Sequence, residues 1–102
     1  MISSQRTAAV VATFNAERWI QACLSSLRSS PEQPLIIVVD NCSEDKTVEI
    51  ITRNFPDTVL LRNESIMGFG AANNSGISEA LNRGADAVLL LNPIESGRKS
   101  AT

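Results

Sequence analysis

Four short apolar runs, none of which alternates apolar with polar residues, constrain this chain more than any other feature. They are Ala8–Phe14 (AAVVATF), Leu35–Val39 (LIIVV), Thr58–Leu61 (TVLL) and Asp86–Leu91 (DAVLLL). A strand with one wet face shows a period of two. A strand that is apolar almost throughout is buried on both faces, which means a parallel sheet covered by helices on each side.

The segments between the runs have helical spacing. Trp19, Ile20, Cys23, Leu24 and Leu27 form one stripe, with Asn15 ahead of it as an N-cap; Trp19 reads as core. Ser29, Ser30, Pro31 and Pro34 break that helix. Val48, Ile51 and Phe55 form a second stripe. Ser43 is its expected cap, and Glu44 and Asp45 fall in the first turn, where the helix dipole favours acids. Asn63–Gly70 reads as a loop with two glycines. Ala71, Ala72, Ile77, Ala80 and Leu81 then mark a third helix, with Gly84 in the C-terminal cap position.

The order is therefore β-α-β-α-β-α-β. It predicts an α/β fold, a Rossmann-like parallel sheet with helices on both faces and right-handed crossovers. With 102 residues the chain has room for one domain, expected over residues 1–93, with a polar, disordered tail over 94–102.

Composition excludes several classes. Apolar residues make up 43% and charged residues 20%, a globular balance. The net charge is -2, and the cations are scattered from Arg6 to Lys99, which argues against a nucleic-acid partner. There is no histidine, which removes the commonest general base and the commonest zinc ligand. Cys23 and Cys42 lack metal-type spacing and read as free thiols of a reducing compartment. The longest apolar runs are strand-length, so no membrane span is expected, and the polar start does not make a signal peptide.

In a sheet of this kind, ligands sit beyond the C-terminal ends of the strands. The residues expected there are Thr13, Phe14, Asn15 and Glu17; Asp40, Asn41 and Ser43; Arg62, Asn63 and the loop to Gly70; and Asn92–Glu95. The first turn has no glycine, and Gly68-Phe69-Gly70 is followed by Asn73, so the dinucleotide fingerprint is incomplete and follows the wrong strand. A Walker loop is absent as well. Asp40 has two readings. Its carboxylate accepts hydrogen bonds from a nucleobase edge or a ribose, or it forms a turn by bonding its own backbone. Gly68 and Gly70 either shape a loop or let backbone amides approach a phosphate. Asn73 and Asn74, poor helix formers, either serve the first turn or face a ligand.

Taken in order, the motifs resemble those of family-2 glycosyltransferases. Val10-Val11-Ala12-Thr13-Phe14-Asn15 is similar to their V-x-x-T-[YF]-N opening. Val38–Thr47 (VVDNCSEDKT) is similar to V-V-D-N-x-S-x-D-x-T. Asn63–Gly76 is similar to N-x-G-F-G-x-x-N-N-x-G, and Leu89–Pro93 to the L-L-N-P-D strand that leads into a metal site. The N-P pair and the G-F-G-x-x-N-N loop look most like the rhamnosyltransferase-like branch.

The resemblance implies a GT-A fold that binds a dTDP-, UDP- or GDP-sugar with magnesium or manganese. The sugar would go to a glycan or lipid-linked acceptor hydroxyl in cell-wall or polysaccharide synthesis, in the cytoplasm or at the inner face of the membrane. By position it implies that Thr13, Phe14 and Asn15 line the base and ribose pocket, with Glu17 at the rim, that Asp40 hydrogen-bonds the base, and that Asn41 belongs to the same donor-binding set. Gly68 and Asn73 or Asn74 would approach the ribose and diphosphate. The resemblance departs at Ile94, where the family has a metal-binding aspartate. Glu95, one residue on, is then the candidate metal ligand. The acceptor-binding half and catalytic base of the family fall beyond Glu95, so the catalytic residues are unassigned. The chain itself is expected to be an inactive front half, with a sheet edge left open to homodimerisation. A non-catalytic nucleotide-binding or assembly domain that has lost its metal site is the alternative.

Overall fold

The computed structural model describes residues 6–91. Its elements are β1 (Thr7–Thr13), α1 (Ile20–Arg28), β2 (Leu35–Asp40), α2 (Thr47–Asn54), β3 (Val59–Arg62), α3 (Phe69–Asn82) and β4 (Ala87–Leu91). The four strands form one parallel sheet in the order β3-β2-β1-β4. β1 lies at its centre, paired from Ala8↔Leu35 to Thr13↔Asp40 on one side and from Thr7↔Ala87 to Val11↔Leu91 on the other. The α/β architecture is the one that the unalternating runs require.

Both faces of β1 and β2 are dry, and each has its own core. Ala8, Val10, Ala12, Ile37 and Val39 pack against Ala72 and Ala80 of α3. Val11 and Val38 pack against Ile20 and Leu24 of α1, Ile51 of α2 and Phe55 just after it, with Trp19 and Cys23 half-buried at the margin. Burial raises the pKa of the Cys23 thiol, which keeps it protonated and unreactive. Ala72, Gly76 and Ala80 repeat every four residues, so α3 lays a stripe without large side chains on the sheet. The approach is close. A Cβ on Gly76 would overlap Val10 Cγ1 and lie 3.1 Å from Val39 Cγ2.

The helix starts differ from expectation. Asn15 does not cap α1. It has φ 49, and the helix begins five residues later at Ile20. Ser43 does not cap α2, which begins at Thr47, so Glu44 and Asp45 precede the helix. α3 begins at Phe69 and takes in Gly70, which was expected in the loop. Gly84, with φ 92, ends α3 in the left-handed conformation as its position suggested. β4 is an edge strand that exposes Leu89 and Leu90, at the edge where self-association was expected. Asn92, Pro93, Ile94 and Glu95, and with them the 94–102 tail, lie outside the described residues.

Candidate functional site

The chain moves outward from β1 to β2 to β3, then returns through α3 to place β4 on the opposite side of β1. That reversal marks the C-terminal ends of β1 and β4 as the place where open α/β sheets bind ligands.

At this end of the sheet the β1–α1 and β2–α2 loops are laced together by hydrogen bonds. Asp40, 1% exposed at the end of β2, accepts from Thr13 Oγ1 at 2.7 Å, Ser43 Oγ at 2.6 Å and Ser43 N at 2.9 Å. Asn15 N donates to Ser43 Oγ at 2.8 Å, and Asn15 Oδ1 accepts from Glu44 N at 2.8 Å. Ala16 N donates to Thr47 Oγ1 at 2.7 Å, and Glu17 N to Asp45 Oδ2 at 3.1 Å. Glu17 Oε1 accepts from Lys46 N at 2.9 Å. Each loop thus satisfies the other's backbone amides, which the late helix starts leave without helical partners.

A second set of bonds ties these loops to the β3–α3 loop. Asn41, 3% exposed, accepts from Met67 N at 2.8 Å, and its Nδ2 donates to Met67 O at 2.5 Å. Asn63 Nδ2 donates to Asn41 Oδ1 at 3.2 Å, and Asn63 N to Asp40 O at 2.9 Å. The loop leads into α3, whose N-cap is Gly68. No side chain caps that end, and Gly68 and Gly70 both face open space. Asn73, half-buried in α3, holds a buried Oδ1 without a hydrogen-bond partner.

The residues singled out from the sequence therefore divide in two. Thr13, Asp40 and Asn41 are buried beneath the surface, and their side chains join strand ends and loops. Of the two readings of Asp40, the turn-forming one is present in its bond from Ser43 N. Phe14, Asn15, Glu17, Gly68 and Asn74 are exposed around the C-terminal end of the sheet, and Asn73 is half-buried there. The side chains of Asn15 and Glu17 are nonetheless engaged by the neighbouring loop. Sequence reasoning missed Asp45 and Thr47 as parts of the site, and placed Ser43 at the ligand end but also read it as a cap. The signal was present, since all three stand at fixed places in the VVDNCSEDKT run, and their spacing serves the opposite loop.

Asp45 carries a pH consequence. Burial pushes its carboxyl up, but the bonds from the Thr47 hydroxyl, Thr47 N–H and Glu17 N–H outweigh it, and the pKa lies below the ordinary carboxylate value. A carboxylate with a lowered folded pKa contributes stability that is complete above its unfolded value of about 4 and is lost as pH falls through the folded value. Melting followed by circular dichroism from pH 6 down to pH 2 is expected to show a steeper acid loss for the unaltered chain than for Asp45→Asn. Parallel curves would remove this role from Asp45.

The described residues do not fit a divalent cation by themselves. No group of three or more metal-ligating side chains occurs among them, and the carboxylates of Glu17, Asp40 and Asp45 are engaged by hydroxyl and amide donors. The candidate ligand Glu95 lies outside the described residues. No helix among the described residues is long and apolar enough to cross a membrane.

Sheet order and loops together define a Rossmann-like α/β domain, and its similarity to solved structures makes it one of the GT-A type. The model of the family described as "Glycosyl transferase family 2" matches residues 8–92, and the chain belongs to that family. Among solved structures it is similar to residues 1–349 of S. aureus TarS in complex with UDP. The match has 26% identity and a TM-score of 0.74 over 86% of this chain and 27% of that one. A second structure of TarS 1–349 matches with 27% identity, TM-score 0.67 and the same coverage. The chain thus spans about a quarter of the length of these structures. No curated protein matches it.

Proposed function

We propose that this chain forms the donor-binding part of a glycosyltransferase that moves a sugar from a nucleoside diphosphate to an acceptor hydroxyl. One observation carries the reading. The similar TarS structure is in complex with UDP, and the similarity covers 86% of this chain at a TM-score of 0.74. In the reaction, the bond from the sugar's anomeric carbon to the diphosphate oxygen breaks, and the nucleoside diphosphate leaves with the electron pair. A bond to the acceptor oxygen forms, and the acceptor's proton passes to a base. The chain has no histidine for that last task, and the described residues are assigned to donor binding only.

In this reading Phe14, 41% exposed at the exit of β1, offers its ring to the base. Asn15 and Glu17 form the rim. Thr13, Asp40 and Asn41 set the pocket's floor and edges. Gly68, Asn73 and Asn74 bring the start of α3 to the ribose and diphosphate, where open amides and the helix dipole favour an anion. The proposed donor is a dTDP-, UDP- or GDP-sugar, and the acceptor a glycan or lipid-linked sugar at the cytoplasmic side. A second reading, a nucleotide-binding domain without catalysis, is favoured by Ile94, a side chain that ligates no metal at the place where the family resemblance expects an aspartate.

The test is calorimetric titration with UDP, dTDP and GDP, with and without manganese. One of them is expected to bind, and manganese is expected to leave the affinity unchanged. A strong manganese dependence would reject the loss of the metal site, and heat from none of the three would reject the donor pocket.

A further inference from the structure

We infer that Asn41 is a positioning residue that latches the β3–α3 loop, and through it the start of α3, to the nucleotide pocket. The inference rests on the donor-binding reading, in which Asn41 belongs to the pocket's floor and edges, and gives its side chain the task of holding the loop.

The geometry is specific. The side-chain amide of Asn41 bonds both peptide units that flank Met67, taking the Met67 N–H of one and giving a hydrogen to the Met67 carbonyl of the other. A side chain of other length or polarity loses one of these bonds, because the carboxamide of Asn presents a donor and an acceptor side by side in one plane at this reach. Asn41 N also donates to Thr13 O at 2.8 Å, so its backbone continues the β1–β2 pairing while its side chain holds the third loop. One residue therefore connects the ends of β1, β2 and β3.

What hangs from the latch is the part of the site with least support of its own. Residues 64–66 are exposed, Ile66 at 65%, and Gly68 and Gly70 touch nothing that a Cβ would meet. The backbone bonds of the segment begin only with Ala72 N to Gly68 O, inside α3. Among the described residues, the tertiary hydrogen bonds to the 64–68 segment are those of Asn41 to Met67 and a long contact from Cys42 Sγ to Glu64 O at 3.8 Å. Gly68 caps α3 without a side-chain bond, so the peptide before it sets where the first turn points. A loop ordered before the ligand arrives does not have to be ordered by it, and the affinity keeps that difference.

The latch predicts that local order and nucleotide affinity fall together while global stability falls less. Two variants test this. Asn41→Ala removes all the bonds. Asn41→Asp keeps the volume and the bonds accepted from Met67 and Asn63, but sets an oxygen against the Met67 carbonyl. It serves should the alanine variant not fold. Two quantities are read at a temperature well below the melting transition: amide hydrogen exchange at Met67 and the Kd for UDP. In the unaltered chain the Met67 amide is expected to be protected. In each folded variant it is expected to exchange faster, and UDP binding to weaken by about tenfold or more, the scale of ordering a single loop residue on binding. A variant whose Met67 amide opens with no change in Kd would overturn the inference, and so would a Met67 amide that stays protected. A purely structural Asn41 would lower the melting temperature and leave Kd, measured far below it, where it was. If the unaltered chain gives no heat with UDP, dTDP or GDP, the donor-binding reading fails and the latch's nucleotide role fails with it. If the unaltered chain binds UDP and the variants bind equally, the latch alone fails.

Discussion

Replacing Gly76 by alanine is expected to destabilise this domain by about 2 kcal/mol, although the substitution sits in a helix where alanine is the better residue by about 1 kcal/mol. The sign follows from where the added methyl goes. It overlaps Val10 Cγ1 and crowds Val39 Cγ2, both in the interior of a sheet that has no room to retreat. Val10 belongs to the central strand, paired on both sides, so relief has to come from α3 lifting off. Lifting α3 loosens the contacts of Ala72 and Ala80 with Ala8, Ala12 and Ile37. Overpacking of this kind costs about 1–3 kcal/mol, and the helical gain offsets only part of the upper range. For a domain of this size the net loss lowers Tm by about 8–16 °C. Gly70→Ala is the control. It lies in the same helix, its Cβ meets nothing, and it is expected to raise Tm slightly or leave it alone. The two variants together separate helix propensity from packing. Equal melting curves for both would mean that α3 does not sit as closely on the sheet as the structure has it.

The same helix shows what the sequence discloses and what it hides. The runs Ala8–Phe14 and Leu35–Val39 announce a buried parallel sheet because their lack of alternation leaves no wet face, and the structure has it so. Gly84 announces the end of α3 because a left-handed cap is a local demand that one residue meets. The starts of α1 and α2 were not legible, for the opposite reason. Asn15 and Ser43 have the chemistry of N-caps, but their side-chain oxygens accept amides from the other loop, Glu44 N and Asn15 N. A cap is judged from its own neighbours, whereas these bonds join residues 28 or 29 positions apart and exist only once β1 and β2 lie side by side. The candidate site was legible as a set of positions at strand ends. Which of those positions face outward was not, since Thr13, Asp40 and Asn41 are polar residues buried by a network that only tertiary structure completes.

Asp40 is the member of that network whose loss is expected to cost most. Asp40→Ala leaves the buried Thr13 hydroxyl without its acceptor and removes both bonds to Ser43 at once. Bonds to a charged acceptor contribute about 1.5–3 kcal/mol each, and a stranded buried donor adds its own desolvation, so a loss of about 3 kcal/mol or more is expected in urea unfolding. Thr13→Val alone removes one donor and keeps the shape, at about 1–2 kcal/mol. Once Asp40 is alanine the Thr13 hydroxyl has no partner to lose, so Thr13→Val should then be nearly neutral or stabilising. The double-mutant coupling is expected at about 1–3 kcal/mol. Asp40→Asn is expected to be mild. The amide oxygen still accepts from Ser43 N, and the Thr13 and Ser43 hydroxyls turn to accept from the new NH₂. That tolerance separates architecture from recognition. If Asp40 acts only by joining β1, β2 and the loop, Asp40→Asn keeps both stability and UDP affinity. If its carboxylate also accepts a hydrogen from the base, as the family resemblance implies, Asp40→Asn keeps the fold and loses affinity. Additive single losses in the cycle would dissolve the network itself. Coupling together with a folded Asp40→Asn that binds UDP weakly would give this one carboxylate both tasks, holding the strand ends together and reading the base laid across them.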